Sequence, residues 1–197
     1  MIPHSNILDL QNRIALYEDI KAYETLYHHM FEHLHKFSFS IVKSNEAAEE
    51  IVSDVFIKVW QIKARLMEIE NLKVYLFTIT KNFSINYIHK NYKNVPYCID
   101  DIDIQAVVSI GNPEELYISA ETINKIKQAI QELPPQCRLV FQLVKEDGLK
   151  YKEAAEVLNI SVLTVRNQLA IAIRKIADFL PASFQPNPSL ISRFSRS

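Results

Sequence analysis

The chain has 197 residues, 48% of them hydrophobic, enough for one ordinary domain or two small ones with real cores. Its net charge of −1 hides an asymmetry: residues 1–90 carry 10 basic and 11 acidic side chains, 91–135 carry 3 and 7, and 136–197 carry 9 and 5, a division that points to separate modules with separate partners. Cys98 and Cys137 lie far apart with no metal-like spacing, no apolar stretch nears the roughly 18 residues of a membrane span, and no basic-then-apolar leader opens the chain. These features exclude a disulfide framework and membrane insertion, and a soluble cytoplasmic protein with reduced thiols is expected.

After Pro3 there is no Gly or Pro until Pro96. The long gaps between such residues read as helices, and alternating strand patterns bounded by turn pairs are missing, so the predicted fold is all-α. Residues 1–16 are expected as a loosely docked arm. From Tyr17 to Val42 an amphipathic pattern through Ile20, Tyr23, Leu26, Tyr27, Met30, Phe31, Leu34 and Phe37 predicts one or two helices.

Ser44 and Asn45 offer an N-cap to the next helix, whose first turns are acidic. Ile51, Val52, Val55, Phe56, Val59 and Trp60 share one side of it and form core. The opposite side gathers Glu50, Ser53, Asp54, Ile57 and Gln61. An Ile among acids there suits a surface that a partner protein covers. Lys63 to Asn71 is the polar break, a loop with room for a flipped base.

In the following helix Leu72, Leu76, Ile79, Phe83 and Tyr87 form one stripe, and Lys73, Phe77, Lys81 and Ser84 share a neighbouring face. Cations beside an aromatic ring suit single-stranded nucleic acid, since phosphates take Lys and an unpaired base stacks on a ring. From Lys63 to Lys93 six basic residues (Lys63, Arg65, Lys73, Lys81, Lys90, Lys93) face only Glu68 and Glu70. The plain alternative is an ordinary solvated bundle face.

Periodicity fades from Asn91 to Gly111, where Asp100, Asp101 and Asp103 crowd together, and a flexible acidic linker is expected over 94–112. Asn112, Pro113 and Glu115 supply a capping signal for a helix to about Leu133. Pro134 and Pro135 separate it from Gln136–Glu146, which stops at Gly148. Lys150–Leu158, a tight turn at Asn159 and Ile160, and a helix capped by Ser161 and ending near Leu180 then make a helix-turn-helix. Ala155 is small where the helices cross, Asn159 tolerates a left-handed turn, and Val165 plugs the joint. Leu169, Ala172, Ile173 and Ile176 face the core behind it. Leu163, Thr164, Arg166, Asn167 and Gln168 stand near the exposed start that meets base edges, with Arg174 and Lys175 better placed for phosphate. The Pro- and Ser-rich tail 181–197 is expected to be disordered.

The order Asp54-Val-Phe-Ile-Lys-Val-Trp60, Tyr75-Leu-Phe-Thr-Ile-Thr-Lys-Asn82, linker, Leu133-Pro-Pro-Gln136 and helix-turn-helix resembles the extracytoplasmic-function (group IV) sigma factors of the sigma-70 superfamily, most closely the branch common in Bacteroidota. The resemblance spans roughly residues 17–180. It implies two small helical domains, a region 2-like one over 17–93 and a region 4-like one over 113–180, with no cofactor and no enzymatic activity. It further implies that Glu50, Ser53, Asp54, Ile57 and Gln61 bind core RNA polymerase. Lys63, Arg65, Lys73, Phe77, Lys81 and Ser84 would capture the melted minus-10 strand, with the acidic linker threading toward the polymerase active site. Ser161, Thr164, Arg166, Asn167, Gln168, Arg174 and Lys175 would meet the minus-35 element. Factors of this kind commonly answer to a membrane-anchored anti-sigma factor. Two readings from the residues compete: a dimeric one-component repressor that uses the same helix-turn-helix, and a zinc hydrolase built on His29, Glu32 and His33, which spell H-x-x-E-H.

Overall fold

Side-chain caps mark helix starts at Asp19, Ser44, Asn71 and Ser161. The computed structural model describes residues 4–91 and 120–178; the predicted linker with Asp100, Asp101 and Asp103, the capping signal at Asn112 to Glu115 and the tail lie outside the described residues. The described residues are helical, without a strand, and the chain divides into two units.

The first unit opens with α1 (His4–Tyr17), which occupies the stretch expected as a loose arm. It is instead an integral core helix, because Ile7, Leu10 and Ile14 at i, i+3 and i+7 are all buried. A corner with Glu18 in the left-handed region leads to α2 (Ile20–Val42), a single helix capped by Asp19, whose carboxylate accepts from the Ala22 N–H at 3.1 Å. The Arg13 guanidinium donates to the same carboxylate at 2.7 Å and, with the cap bond, holds it below the usual carboxylate range. Lys43 in the left-handed region ends α2, and Ser44 caps α3 (Asn45–Gln61) by accepting from the Ala47 N–H at 3.1 Å. A 3₁₀ turn (Lys63–Glu68) occupies the predicted loop, and Asn71 then starts α4 (Leu72–Asn91) by accepting from the Val74 N–H at 3.2 Å.

α4 packs against α2, α3 and α1. Its centre is Phe77, fully buried and edge-on to Phe37 with ring centroids 5.2 Å apart. Leu26, Met30, Leu34, Val52, Val55, Leu66, Leu72 and Leu76 close the core around them, each contributing about 1.5–3 kcal/mol by leaving water. α2 and α4 also approach at a buried polar contact, where the Ser38 and Ser84 hydroxyls lie 2.9 Å apart and Ser84 donates to Thr80 O at 2.8 Å.

The second unit runs through α5 (Ala120–Gln131), α6 (Pro135–Phe141), a wide turn of π-helix (Gln142–Glu146), α7 (Tyr151–Leu158) and α8 (Val162–Asp178). Pro135 stands in the first turn of α6, where its missing N–H costs nothing. Gly148, at φ 69°, ends the segment, with the Asp147 and Leu149 N–H groups closing onto Gln142 and Leu143 carbonyls. Leu133, Cys137 and Ala172 form a core cluster with Phe141 and Ile176 against it, and Leu139, Val140, Leu143, Val157, Val165 and Leu169 are buried nearby in the chain path.

Candidate nucleic-acid interface

On α3 the two predicted sides separate as expected. Ile51, Val52, Val55, Phe56 and Val59 are buried, while Glu50, Ser53, Asp54, Ile57 and Gln61 are exposed, Ile57 by 53%. Trp60 is half-buried rather than core, edge-on to Tyr23 at 5.0 Å, and the Tyr23 hydroxyl donates to Phe56 O at 2.8 Å. An exposed branched aliphatic among carboxylates gains nothing from water, and its place there suits a protein contact.

The turn and α4 differ from expectation. The Lys63 ammonium sits 4.6 Å over the Trp60 ring and 3.1 Å from the Glu18 carboxylate, so it is engaged within the protein. Arg65 pairs with Glu68 at 3.2 Å, but both side chains are more than half exposed, and such surface pairs hold weakly. Lys73 is half-buried. The predicted solvent face of Lys73, Phe77, Lys81 and Ser84 is not a surface strip: Phe77 and Ser84 are wholly buried and Lys81 is only 9% exposed. The reason is that α4 meets helices on several sides, so its buried arc is wider than one stripe. Phe77 therefore cannot offer its ring to a base, and the Ser84 hydroxyl is spent on Ser38 and Thr80.

What α4 does present is Asn82, Asn86 and Lys90, exposed at successive four-residue steps, with His89 and Asn91 beside them and Met67 exposed in the turn. The four-residue spacing was readable; two neutral amides simply do not register in a count of charges. Burial pushes the Lys81 ammonium below its ordinary range, so this lysine opposes folding slightly. Lys81→Met, of similar length, should leave the protein as stable as before or more so by up to about 1 kcal/mol, measured by urea unfolding. A loss of single-strand binding in the same variant would place the amine at the nucleic acid.

The H-x-x-E-H pattern finds no metal geometry. The Glu32 carboxylate is held 2.7 Å from Lys36, which lowers its pKa, the His29 and His33 rings stand 6.1 Å apart, and burial, then His33, lowers the His29 pKa. Among the described residues no group of three or more His, Cys, Asp or Glu is placed to hold a metal ion.

In the second unit the helix-turn-helix forms as the sequence predicts. Asn159 takes φ 56°, with its N–H on Glu156 O at 3.2 Å and the Ile160 N–H on Ala155 O at 3.0 Å, a Schellman end with Asn where Gly is commoner. Ser161 caps α8, its Oγ accepting from the Thr164 N–H at 2.9 Å and lying 2.8 Å from the Thr164 hydroxyl. Ser161→Ala should cost about 1 kcal/mol, read as a lower urea midpoint of the second unit. Val165 is fully buried in the joint. Arg166, Asn167, Arg174 and Lys175 are exposed, Thr164 and Gln168 half-exposed, and Ile173 and Ile176 only partly buried. Gln168 also turns inward: its Oε1 accepts from the Cys137 thiol at 2.7 Å, a contact between residues 31 positions apart that no local pattern signals. Burial raises the Cys137 pKa and keeps that thiol protonated as a donor.

Comparison with known proteins matches these two units in the same order. Residues 26–93 fit the family profile of sigma-70 region 2, and residues 123–176 that of sigma-70 region 4. The ECF RNA polymerase sigma-E factor of Escherichia coli (strain K12) is 28% identical over 127 residues, covering 61% of this chain and 66% of that protein. This chain thus spans slightly under two thirds of that relative's length. The ECF RNA polymerase sigma factor SigM of Bacillus subtilis (strain 168) is 24% identical over 153 residues, covering 78% and 91%. Among solved structures, that of CnrH in complex with the cytosolic domain of CnrY shares the fold, with a TM-score of 0.56, 18% identity, and coverage of 88% of this chain and 96% of that one. Two region profiles in the right order over a helical unit and a helix-turn-helix unit, together with these relatives, make the chain a member of the extracytoplasmic-function group of the sigma-70 family.

Proposed function

We propose that this protein is an RNA polymerase sigma factor, a transcription initiation factor without enzymatic activity that works in the cytoplasm. In this reading α3 docks on core RNA polymerase through Glu50, Ser53, Asp54, Ile57 and Gln61. The 3₁₀ turn and the outward arc of α4 receive the melted minus-10 strand through Arg65, Asn82, Asn86 and Lys90, with the half-buried Lys73 at the start of the helix. The start of α8 meets the minus-35 duplex through Arg166, Asn167 and the outer end of Gln168, with Ser161 and Thr164 shaping its first turn and Arg174 and Lys175 on phosphate. The observation that carries the reading is the exposed Ile57 in the acidic face of one unit, in the same chain as a properly capped helix-turn-helix. Regulation by the cytosolic part of a membrane-anchored anti-sigma factor is part of the proposal. It draws on the family and on the solved pairing of CnrH with a cytosolic domain.

The test is comigration of the purified protein with core RNA polymerase on gel filtration, followed by initiation from DNA that the resulting holoenzyme selects. Binding to duplex DNA as a dimer, without polymerase, would instead favour the repressor reading. Within the holoenzyme, Arg166→Ala should leave core binding intact and weaken minus-35 recognition by about 1–3 kcal/mol, measured by fluorescence anisotropy on duplex DNA.

A further inference from the structure

The 3₁₀ turn is fastened from outside the matched region 2 segment, which begins at residue 26. Gln11 of α1 is polar yet only 2% exposed, between the buried Leu10 and Ile14. Its Nε2 carries two hydrogens and spends both across the core, on Leu66 O at 2.6 Å and Ile69 O at 2.7 Å. Its buried Oε1 finds no hydrogen-bond partner among the described residues, so both of the amide's bonds there are donated ones. The two carbonyls stand at the end of the turn, where the last carbonyls of any helix lack intrahelical partners. Leu66 O also accepts from the Ile69 N–H at 3.1 Å, so the amide grips both sides of the closing turn. Glu18, in the corner after α1, holds Lys63 at the turn's other end.

We propose that Gln11 is a positioning residue for the melted promoter strand: by clamping Leu66 and Ile69, α1 holds residues 63–71 in the shape that receives unpaired bases. This rests on reading 63–71 as the strand-capture segment. The clamp acts on backbone carbonyls, so it sets the shape of the turn. With Leu66 fully buried and Met67 51% exposed, that shape also decides which side chains stand out. A segment ordered in advance binds without the ordering cost that a slack one bears.

The test uses the full chain in reconstituted holoenzyme. A fork-junction DNA is first selected by wild-type holoenzyme from a library randomised in its single-stranded stretch. Affinities for this fork and for core polymerase are then compared for wild type, Gln11→Met and Gln11→Asn, with hydrogen exchange over 63–71. Gln11→Met keeps the volume and loses both donors; Gln11→Asn keeps the amide and shortens its reach. The expected result for Gln11→Met is unchanged core affinity, faster exchange in 63–71 but not in α2 or α3, and fork affinity lower on the order of tenfold. Gln11→Asn should fall between. Wild-type fork affinity in Gln11→Met holoenzyme, or a matching loss of core affinity, overturns the proposal. Should Gln11→Met fail to enter holoenzyme, Gln11→Asn decides: a partial fork loss at unchanged core affinity supports the clamp, and full fork affinity despite faster exchange overturns it. A wild-type protein that binds no core polymerase would sink the functional reading and this proposal together. A selective wild-type holoenzyme indifferent to Gln11 would sink this proposal alone.

Discussion

Phe77→Ala is expected to destabilise the first unit by about 3–5 kcal/mol, a large share of what a domain of this size possesses. The ring has no exposed surface and meets Phe37 edge-on at 5.2 Å, so truncation removes both apolar burial and an aromatic pair worth about 0.5–1.5 kcal/mol beyond it. Four helices line that core and cannot all shift to fill the space. The chain's single tryptophan, Trp60, lies in this unit and packs on Tyr23, so its fluorescence during urea unfolding reports the right transition. Gross weakening of DNA binding would follow only through unfolding. An unchanged midpoint with weaker single-strand binding would mean that the ring is available to bases after all.

The second large effect is on association. Asp54→Arg combined with Ile57→Asp should reduce affinity for core polymerase by at least about 30-fold, the consequence of losing contacts worth 2 kcal/mol or more at the centre of an interface. Both side chains are exposed, so stability should stay within about 0.5 kcal/mol of wild type. Anisotropy of labelled protein titrated with core polymerase, beside a urea melt, reads the two quantities separately. Equal core affinity in the variant would remove α3 from the polymerase contact. Equal loss in Arg166→Ala would remove the division of labour between the units.

The features that the sequence disclosed are those whose causes are local. Asn159, Ser161 and Val165 lie within seven residues of one another, and each adopts the role its chemistry predicts: left-handed turn, cap and plug. The two sides of α3 were legible because that helix buries one face only. α4 was misread because it is surrounded, so buried Thr80, Lys81 and Ser84 look in sequence like solvated positions, and the Ser38 hydroxyl that satisfies Ser84 is 46 residues away. α1 was missed although Ile7, Leu10 and Ile14 carried the helical spacing, because polar neighbours such as Asn6, Asn12 and Arg13 dilute it. Nothing in the sequence could have exposed the role of Gln11, since its partners are backbone carbonyls 55 and 58 residues on.

The Cys137–Gln168 contact bears on what a promoter can say to this protein. A free glutamine can grasp adenine with its carbonyl and amide together, one accepting and the other donating. Here one of the oxygen's two lone pairs is already engaged by the Cys137 thiol, which restrains that two-handed grip and leaves the N–H groups as its unspent donors. If α8 reads the minus-35 duplex as proposed, this position favours acceptors such as guanine N7 and O6, adenine N7 or thymine O4 over the exocyclic amine of cytosine.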